Sequence, residues 1–219
     1  VLVCGLDLVS EFVFSGFSAL QALTPQACRP FDVARDGLIL GEGAAYLLLM
    51  SEECRQQTQS RSWGCITGWG ISSDAHHVTA PARNGEGLIR ALKQALNRAR
   101  VDAQALAAIN THGTGSVYND AMELTAFGKL FQRLPPLHSV KGAIGHTMGA
   151  SGALEAIVGL YSLLHQCIAP TMGLQQPEPR AVGRVSNGVQ EIQGDCLLTT
   201  NSGFGGINAS LILQRSGIS

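Results

Sequence analysis

The 219-residue chain has no block of basic residues, and its 15 Lys and Arg nearly balance 16 Asp and Glu, giving a formal net charge of -1. Nothing in that distribution suits a nucleic-acid surface, and contact with an acidic partner has to use a local patch. No apolar run reaches membrane-spanning length and no signal peptide opens the chain. No cysteine pair is spaced as CxxC, and none of Cys4, Cys28, Cys54, Cys65, Cys167 and Cys196 forms a ligand set with a histidine. Such scattered thiols read as reduced, buried small side chains of a cytoplasmic protein, with no metal site. Collagen periodicity and low-complexity tracts are absent as well. No Ser or Cys occupies a GxSxG elbow or a small-residue turn opening a helix, so no residue reads as a convincing nucleophile. A starting methionine is also missing. The chain opens inside the apolar run VLVCG, a strand already under way, and the expectation is that a segment precedes it.

What is present is apolar and rich in glycine. At 45% hydrophobic residues the chain can bury a sizeable core as one or two compact units, and 26 glycines suit a punctuated α/β architecture better than a helical bundle. Residues 1–5 read as a strand. Residues 18–23 read as a short helix ahead of the Thr24-Pro25 break, after a segment holding Phe12, Phe14 and Phe17. Turn chemistry at Arg29-Pro30 and Arg35-Asp36-Gly37 leads into 44–50, a nearly continuous apolar run expected to be a strand buried on both faces. Residues 51–60 are polar and expected at the surface, and 65–70 start another strand. The adjacent His76 and His77 point apart in extended chain, which assigns them to a loop or an entrance lining rather than to a metal. From 85 to 99, Leu88, Ala91, Leu92, Ala95, Leu96 and Ala99 recur at three and four residues and predict an amphipathic helix. A short apolar approach at 106–110, a helix at 120–130 and a strand at 137–140 follow. Next comes a buried helix at 149–165 carrying Leu154, Ile157, Val158, Tyr161 and Leu164. Strands at 196–200 and 209–213 flank a glycine turn. The alternation of strands and helices, closing on a hairpin, makes the fold class α/β.

Three polar segments are candidates for a common site. LHSVKGAIGHTMGASGALEA, residues 137–156, sets Lys141 and His146 in a bed of glycine. His112 in THGTG, residues 111–115, repeats the pattern of an apolar run ending at a histidine beside glycine. A neutral imidazole can donate through Nε2 to an oxygen that gains charge, or carry a proton near neutrality. His146 precedes the expected start of a helix, whose positive end favours the uncharged ring. A buried Lys141 needs a countercharge, from Glu155 on the following helix or from Glu123 after THGTG. NSGFGG, residues 201–206, exposes backbone N–H groups. A phosphate cradle fits it badly, because no Lys-Ser/Thr pair follows and a strand does. An oxyanion hole made from a main-chain N–H, with Phe204 against an apolar substrate, fits better. The chain thus offers proton handlers and an anion hole without an attacker.

These motifs resemble those of the β-ketoacyl-acyl carrier protein synthases, the condensing enzymes of fatty acid and polyketide synthesis in the thiolase-like superfamily. CRPFDVARDGLILGEGAA resembles the segment before the last strand of the family's first half, and NTHGTGSVYNDAMEL its first histidine motif. SVKGAIGHTMGASGALEA resembles its lysine and second histidine motif, NSGFGGINAS its C-terminal glycine loop, and SEFVFSGFSALQALTP its pocket-lining and interface region. The resemblance covers essentially the whole chain. It implies a layered αβαβα fold, with residues 1–50 ending the first half and residues 51–219 forming the second. It also implies a nucleophilic cysteine upstream of Val1, since Cys4 and Cys28 fall in other motifs.

On that pattern His112 and His146 serve a decarboxylative condensation with a malonyl thioester, and Lys141 fixes the site electrostatically with Glu155 as partner. Phe204, with Gly203 and Gly205, forms the oxyanion hole and acyl gate, while Glu123, Asp120, Thr111 and Thr114 support the histidines. No organic cofactor is implied, because the substrates ride on the phosphopantetheine of an acyl carrier protein. Arg29 and Arg35 are candidates for docking that carrier, although Arg35 can instead anchor its turn to Asp36 or Asp32. The implied assembly is a homodimer or a ketosynthase/chain-length-factor heterodimer. Two positions depart from the pattern. Ser202 stands where many fatty-acid enzymes carry the outer Phe of NSFGFGG, which resembles polyketide or aryl-polyene-type synthases, and Ser116 replaces the commoner Thr. A non-catalytic chain-length-factor-like subunit is the alternative, against which both retained histidines argue. A thiolase is the third reading, opposed by the lack of a cysteine in residues 201–206.

Overall fold

The computed structural model describes residues 1–216. Its centre is a five-stranded sheet in the order β3-β9-β8-β4-β5, formed by Gly64–Ser73 (β3), Ile207–Arg215 (β9), Cys196–Gly203 (β8), Ala108–Asn110 (β4) and Leu137–His138 (β5). The antiparallel hairpin β8–β9 carries β3 on its outer edge, and β4 runs parallel to both β8 and β5. Inside the sheet, β8 reads as a continuous apolar and threonine run because both its faces are covered.

One face is covered by Glu86–Ala99 (α3) and Val117–Leu130 (α4). The stripe predicted for 85–99 is the one that packs, with Leu88, Ala91, Leu92, Ala95 and Leu96 buried. Helix α3 sits close to β3 because Gly68 and Gly70 leave room: a Cβ on Gly70 would run into the Ala91 carbonyl, and one on Gly68 into that of Ala95. The opposite face is covered by Ser151–His165 (α6), and across α6 lies an antiparallel pair, Leu2–Asp7 (β1) with Gly43–Leu48 (β2). The order of layers is therefore α3/α4, five-stranded sheet, α6, β1–β2, a mixed α/β stack consistent with the layered thiolase-like architecture. Glu11–Ala19 (α1), Glu52–Thr58 (α2), the single turn Lys141–Ile144 (α5) and the small pair Cys167–Ile168 (β6) with Gln190–Glu191 (β7) complete it.

Several expectations need correction. The helix expected at 18–23 lies earlier, at α1, because Ser10 caps it by accepting from Val13 N–H at 3.2 Å. Strand β2 is not covered on both faces: its odd positions face α6, while Tyr46 and Leu48 point outward beside Leu2 and Leu6 of β1, all exposed. In α6 the side facing the sheet is Ser151, Glu155, Ala156, Gly159, Ser162 and Leu163, whereas Leu154, Ile157, Val158 and Leu164 are half-buried and Tyr161 is exposed. Small and polar groups were needed there because α6 is clamped between two sheets. Of the cysteines, Cys28 and Cys196 are buried, but Cys4, Cys54 and Cys65 are exposed.

Gly70→Ala is expected to cost about 1–3 kcal/mol as α3 is pushed off β3. Gly128→Ala, on the open side of α4 where an added Cβ meets nothing within 4 Å, should instead gain up to ~1 kcal/mol. Urea midpoints of the two variants check this, and equal midpoints would contradict the close-approach argument.

Candidate active site

His112 is delivered by the turn that leaves the C-terminal end of β4. Its main-chain N–H donates to Glu123 Oε1 at 2.8 Å and to Thr200 Oγ1 at 3.2 Å, and the next N–H, of Gly113, donates to Glu123 Oε2 at 2.7 Å. Glu123 also receives Asn119 Nδ2 at 3.0 Å and the Thr200 hydroxyl at 3.2 Å, so a fully buried carboxyl pins the histidine loop to α4. Burial, and then its neighbour Asp120, pushes the Glu123 carboxyl up to about 7. A turn earlier on α4, Asp120 anchors the loop in the same way, accepting from Phe31 N–H at 2.8 Å and Gly115 N–H at 3.3 Å, and burial raises it to about 6. Thr111 donates its hydroxyl to the His138 carbonyl at 2.9 Å, and Thr114 bonds Ser116 across the turn at 3.0 Å.

His146 is held by a different segment. Its N–H donates to the Ile39 carbonyl at 2.7 Å, and its carbonyl accepts from Gly41 N–H at 3.0 Å. The LILGEG stretch thus runs beside it as a short parallel bridge, and only a glycine fits at 41, where a Cβ would meet the Ile144 carbonyl. Thr147, at φ -86° and ψ 23°, turns the chain so that the Met148 N–H donates back to His146 Nδ1 at 3.2 Å, and Met148 itself lies in the left-handed region at φ 43°. The Ser151 hydroxyl lies 3.2 Å from the same nitrogen.

The two rings meet at right angles, with centroids 5.1 Å apart and planes inclined by 82°. Both line a cavity of about 830 Å³ whose wall also includes Phe17, Thr114, Asn201 and Phe204. Lys141 and Glu155 lie behind them as a fully buried, hydrogen-bonded ion pair. Glu155, rather than Glu123, is therefore the lysine's countercharge, which decides between the two partners open in the sequence. Glu155 Oε2 accepts from Asn201 Nδ2 at 2.7 Å, which leaves Asn201 Oδ1 facing His112 Nδ1 at 3.2 Å.

That geometry fixes the protons. His146 Nδ1 accepts from a backbone N–H, so the neutral ring carries its proton on Nε2. His112 Nδ1 faces an amide oxygen, so its proton is there and Nε2 keeps a lone pair. Neither ring readily becomes cationic: burial first, then Lys141, pushes His146 down to about 3. His112 is held well below the ordinary imidazole range by burial, then by Lys141 and His146, against the opposing bond to Asn201.

The glycine turn at residues 203–206 closes the cavity. Phe204 is half-exposed and stacks on Phe17 of α1, ring centroids 5.3 Å apart and 21° from parallel. Gly205 N–H donates to the Val78 carbonyl at 2.6 Å, so the loop holding His76 and His77 leans on this turn. Arg35 is not available for docking a partner: its side chain is 8% exposed, with Nε 3.8 Å from Asp120 and Nη1 bonded to the Asp32 carbonyl at 2.8 Å. Cys28 is no nucleophile either, since it bonds the Thr114 carbonyl and burial pushes its thiol up to about 11. Among the described residues no group of His, Cys, Asp and Glu is arranged to hold a metal, and no helix is long and apolar enough to cross a membrane. Asn201, Met148, Ser151 and Thr200 were not assigned individual roles from sequence. Asn201 alone carried a signal, as a polar residue where an apolar strand meets the glycine turn.

Lys141→Met should cost about 3–5 kcal/mol, because it strands Glu155 inside the protein. Pairing it with Glu155→Gln should recover some of that loss in urea unfolding. A double variant no more stable than the single one would contradict the assigned ion pair.

The family described as "Beta-ketoacyl synthase, C-terminal domain" matches residues 63–175, and "Beta-ketoacyl synthase, N-terminal domain" matches residues 1–54. A 3-oxoacyl-[acyl-carrier-protein] synthase 2 of Rhizobium meliloti (strain 1021) is 38% identical over 94% of this chain and 52% of its own length. The protein of the same name from Staphylococcus aureus (strain COL) is 35% identical with the same coverage. The chain thus spans about half the length of these curated relatives. Among solved structures, a β-ketoacyl synthase from Burkholderia phymatum STM815 superposes with a TM-score of 0.94 at 34% identity, covering 99% of this chain and 54% of that one. The ishigamide ketosynthase/chain length factor superposes with a TM-score of 0.93 at 36% identity, again over 99% and 54%. With the family match spanning more than half of its residues, the chain belongs to the β-ketoacyl synthases.

Proposed function

We propose that this chain supplies the histidine pair, the lysine and the glycine turn of a 3-oxoacyl-acyl carrier protein synthase. The reaction is the decarboxylative Claisen condensation of an acyl thioester with a malonyl thioester carried on an acyl carrier protein. The supporting observation is the crossed pair of buried imidazoles, 5.1 Å apart on the wall of one cavity, whose Nδ1 atoms face an amide oxygen in one ring and a main-chain N–H in the other.

His146 Nε2–H donates to the malonyl thioester oxygen as carbon dioxide leaves and the enolate forms, a charge that a preorganised donor in a buried site stabilises well. His112 Nε2 keeps its lone pair toward the cavity and accepts a hydrogen bond there without taking the proton, because burial and then Lys141 hold the ring uncharged. The enolate carbon then attacks the acyl-cysteine carbonyl, the main-chain N–H of Phe204 holds the tetrahedral oxyanion, and its collapse breaks the C–S bond, releasing the cysteine thiolate and leaving the 3-oxoacyl thioester on the carrier. Phe204 stacked on Phe17 forms the acyl gate, and burial, aided by Lys141, keeps both rings uncharged.

The attacking sulfur comes from elsewhere, because none of the six cysteines lines the cavity. The exposed apolar side of β1–β2, with Leu2, Leu6, Tyr46 and Leu48, supports a first half whose remaining elements pack there. The relatives described as ketosynthase/chain length factor pairs support a two-subunit assembly, homodimeric or heterodimeric. Retention of both histidines with their tautomer-fixing partners favours the condensing subunit over a non-catalytic one.

In the full-length protein, His146→Ala should slow malonyl decarboxylation by about 10²–10³-fold or more while acyl transfer to the cysteine persists. Decarboxylation at the wild-type rate would remove His146 from the mechanism. The 219-residue chain assayed alone should show no condensation.

A further inference from the structure

Under α6, away from the cavity, three buried polar side chains stand side by side on adjacent strands. Asn110 of β4 pairs with His138 of β5 on one side and with Thr199 of β8 on the other. Directly paired residues of neighbouring strands point to the same face of a sheet. The preceding residues, Ile109, Leu137 and Leu198, lie in the core cluster that α3 and α4 share. Asn110, His138 and Thr199 therefore point the other way, toward α6. The Asn110 amide confirms this by donating to the Glu155 carbonyl at 3.0 Å.

All three residues are sealed, at 0%, 0% and 3% exposure. Each nevertheless keeps atoms with no hydrogen-bond partner in the protein: both ring nitrogens of His138, Oδ1 of Asn110 and Oγ1 of Thr199. A buried polar atom left unpaired is costly, and a row of them on three neighbouring residues is more than scatter. Beside the row, α6 brings Ala156 and Gly159 close to Leu197 and Leu213 of the same sheet face.

We propose that Asn110, His138 and Thr199 enclose a binding site for one buried water molecule between the five-stranded sheet and α6. The donor and acceptor inventory selects the ligand. Asn110 Oδ1 only accepts, a neutral imidazole offers one donor and one acceptor, and the threonine hydroxyl does either. The occupant must both donate and accept, be small and carry no charge. A cation is unsuited because the Glu155 carboxylate is already engaged by Lys141 and Asn201. Water with three protein partners is what buried sites of this kind hold. It steadies Asn110, whose amide in turn fixes the main chain of Glu155 from behind.

A crystal structure of the full chain, at a resolution that shows ordered solvent, is compared with thermal melts of His138→Gln and His138→Leu. The expected result is a discrete peak within hydrogen-bond distance of Asn110 Oδ1, Thr199 Oγ1 and one His138 nitrogen. His138→Gln, which keeps a donor and an acceptor, should melt close to wild type and His138→Leu lower. A dry contact in which His138 bonds directly to Asn110 or Thr199 overturns the proposal, as does a higher melting temperature for His138→Leu. Should His138→Leu fail to fold, the density and the His138→Gln melt decide.

Discussion

Lys141 and Glu155 occupy a place where neither charge is tolerable without the other, since desolvating an ion costs more than most single contacts return. Once paired, they organise the site. Glu155 gives one oxygen to Lys141 and the other to the Asn201 amide, and its carbonyl to Asn110. Asn201 is thereby turned so that its oxygen faces His112 Nδ1. The same ammonium helps keep both imidazoles uncharged. The orientation of one ring therefore depends on a single sealed contact, and the neutrality of both, set first by burial, is reinforced by it.

The second constraint is backbone geometry. Imidazole tautomers follow whatever faces Nδ1, and here a main-chain N–H faces one ring and an amide oxygen the other. The first arises from the turn at Thr147 just before α6, and the second because Asn201, near the end of β8, gives its amide nitrogen to Glu155. Glu123 and Asp120 hold the His112 loop from α4, and Ile39 with Gly41 holds His146 from the segment before β2. The cavity thus gathers residues from most of the chain's length, although each is fixed by short local bonds.

Much of this was legible in the residues themselves. A 3.6-residue period placed α3, and histidines beside glycines marked His112 and His146 as members of one site. The glycine bed around Lys141 pointed to a buried ammonium, and the candidates for its partner were narrowed to two. Layering was harder to read. In α6 the small and polar residues Glu155, Gly159 and Ser162 face the sheet while larger apolar ones lie on the flanks, because a helix between two sheets must be thin where it touches them. Strand β2 looked buried on both faces, since an apolar run reports what a strand is built to bury and not which chain segment covers it. Asn201 and Met148 act through torsions and partners that only the folded chain defines.

The account rests on two uncharged imidazoles whose Nε2 atoms differ, one a donor and one an acceptor. Imidazole ¹⁵N spectra of the full-length protein, recorded across about pH 5–8 where an ordinary histidine changes charge, test it most directly. The account predicts His146 protonated on Nε2 and His112 on Nδ1, with neither titrating in that range. Two rings of the same tautomer, or either ring gaining a second proton near pH ~6.5, would contradict it.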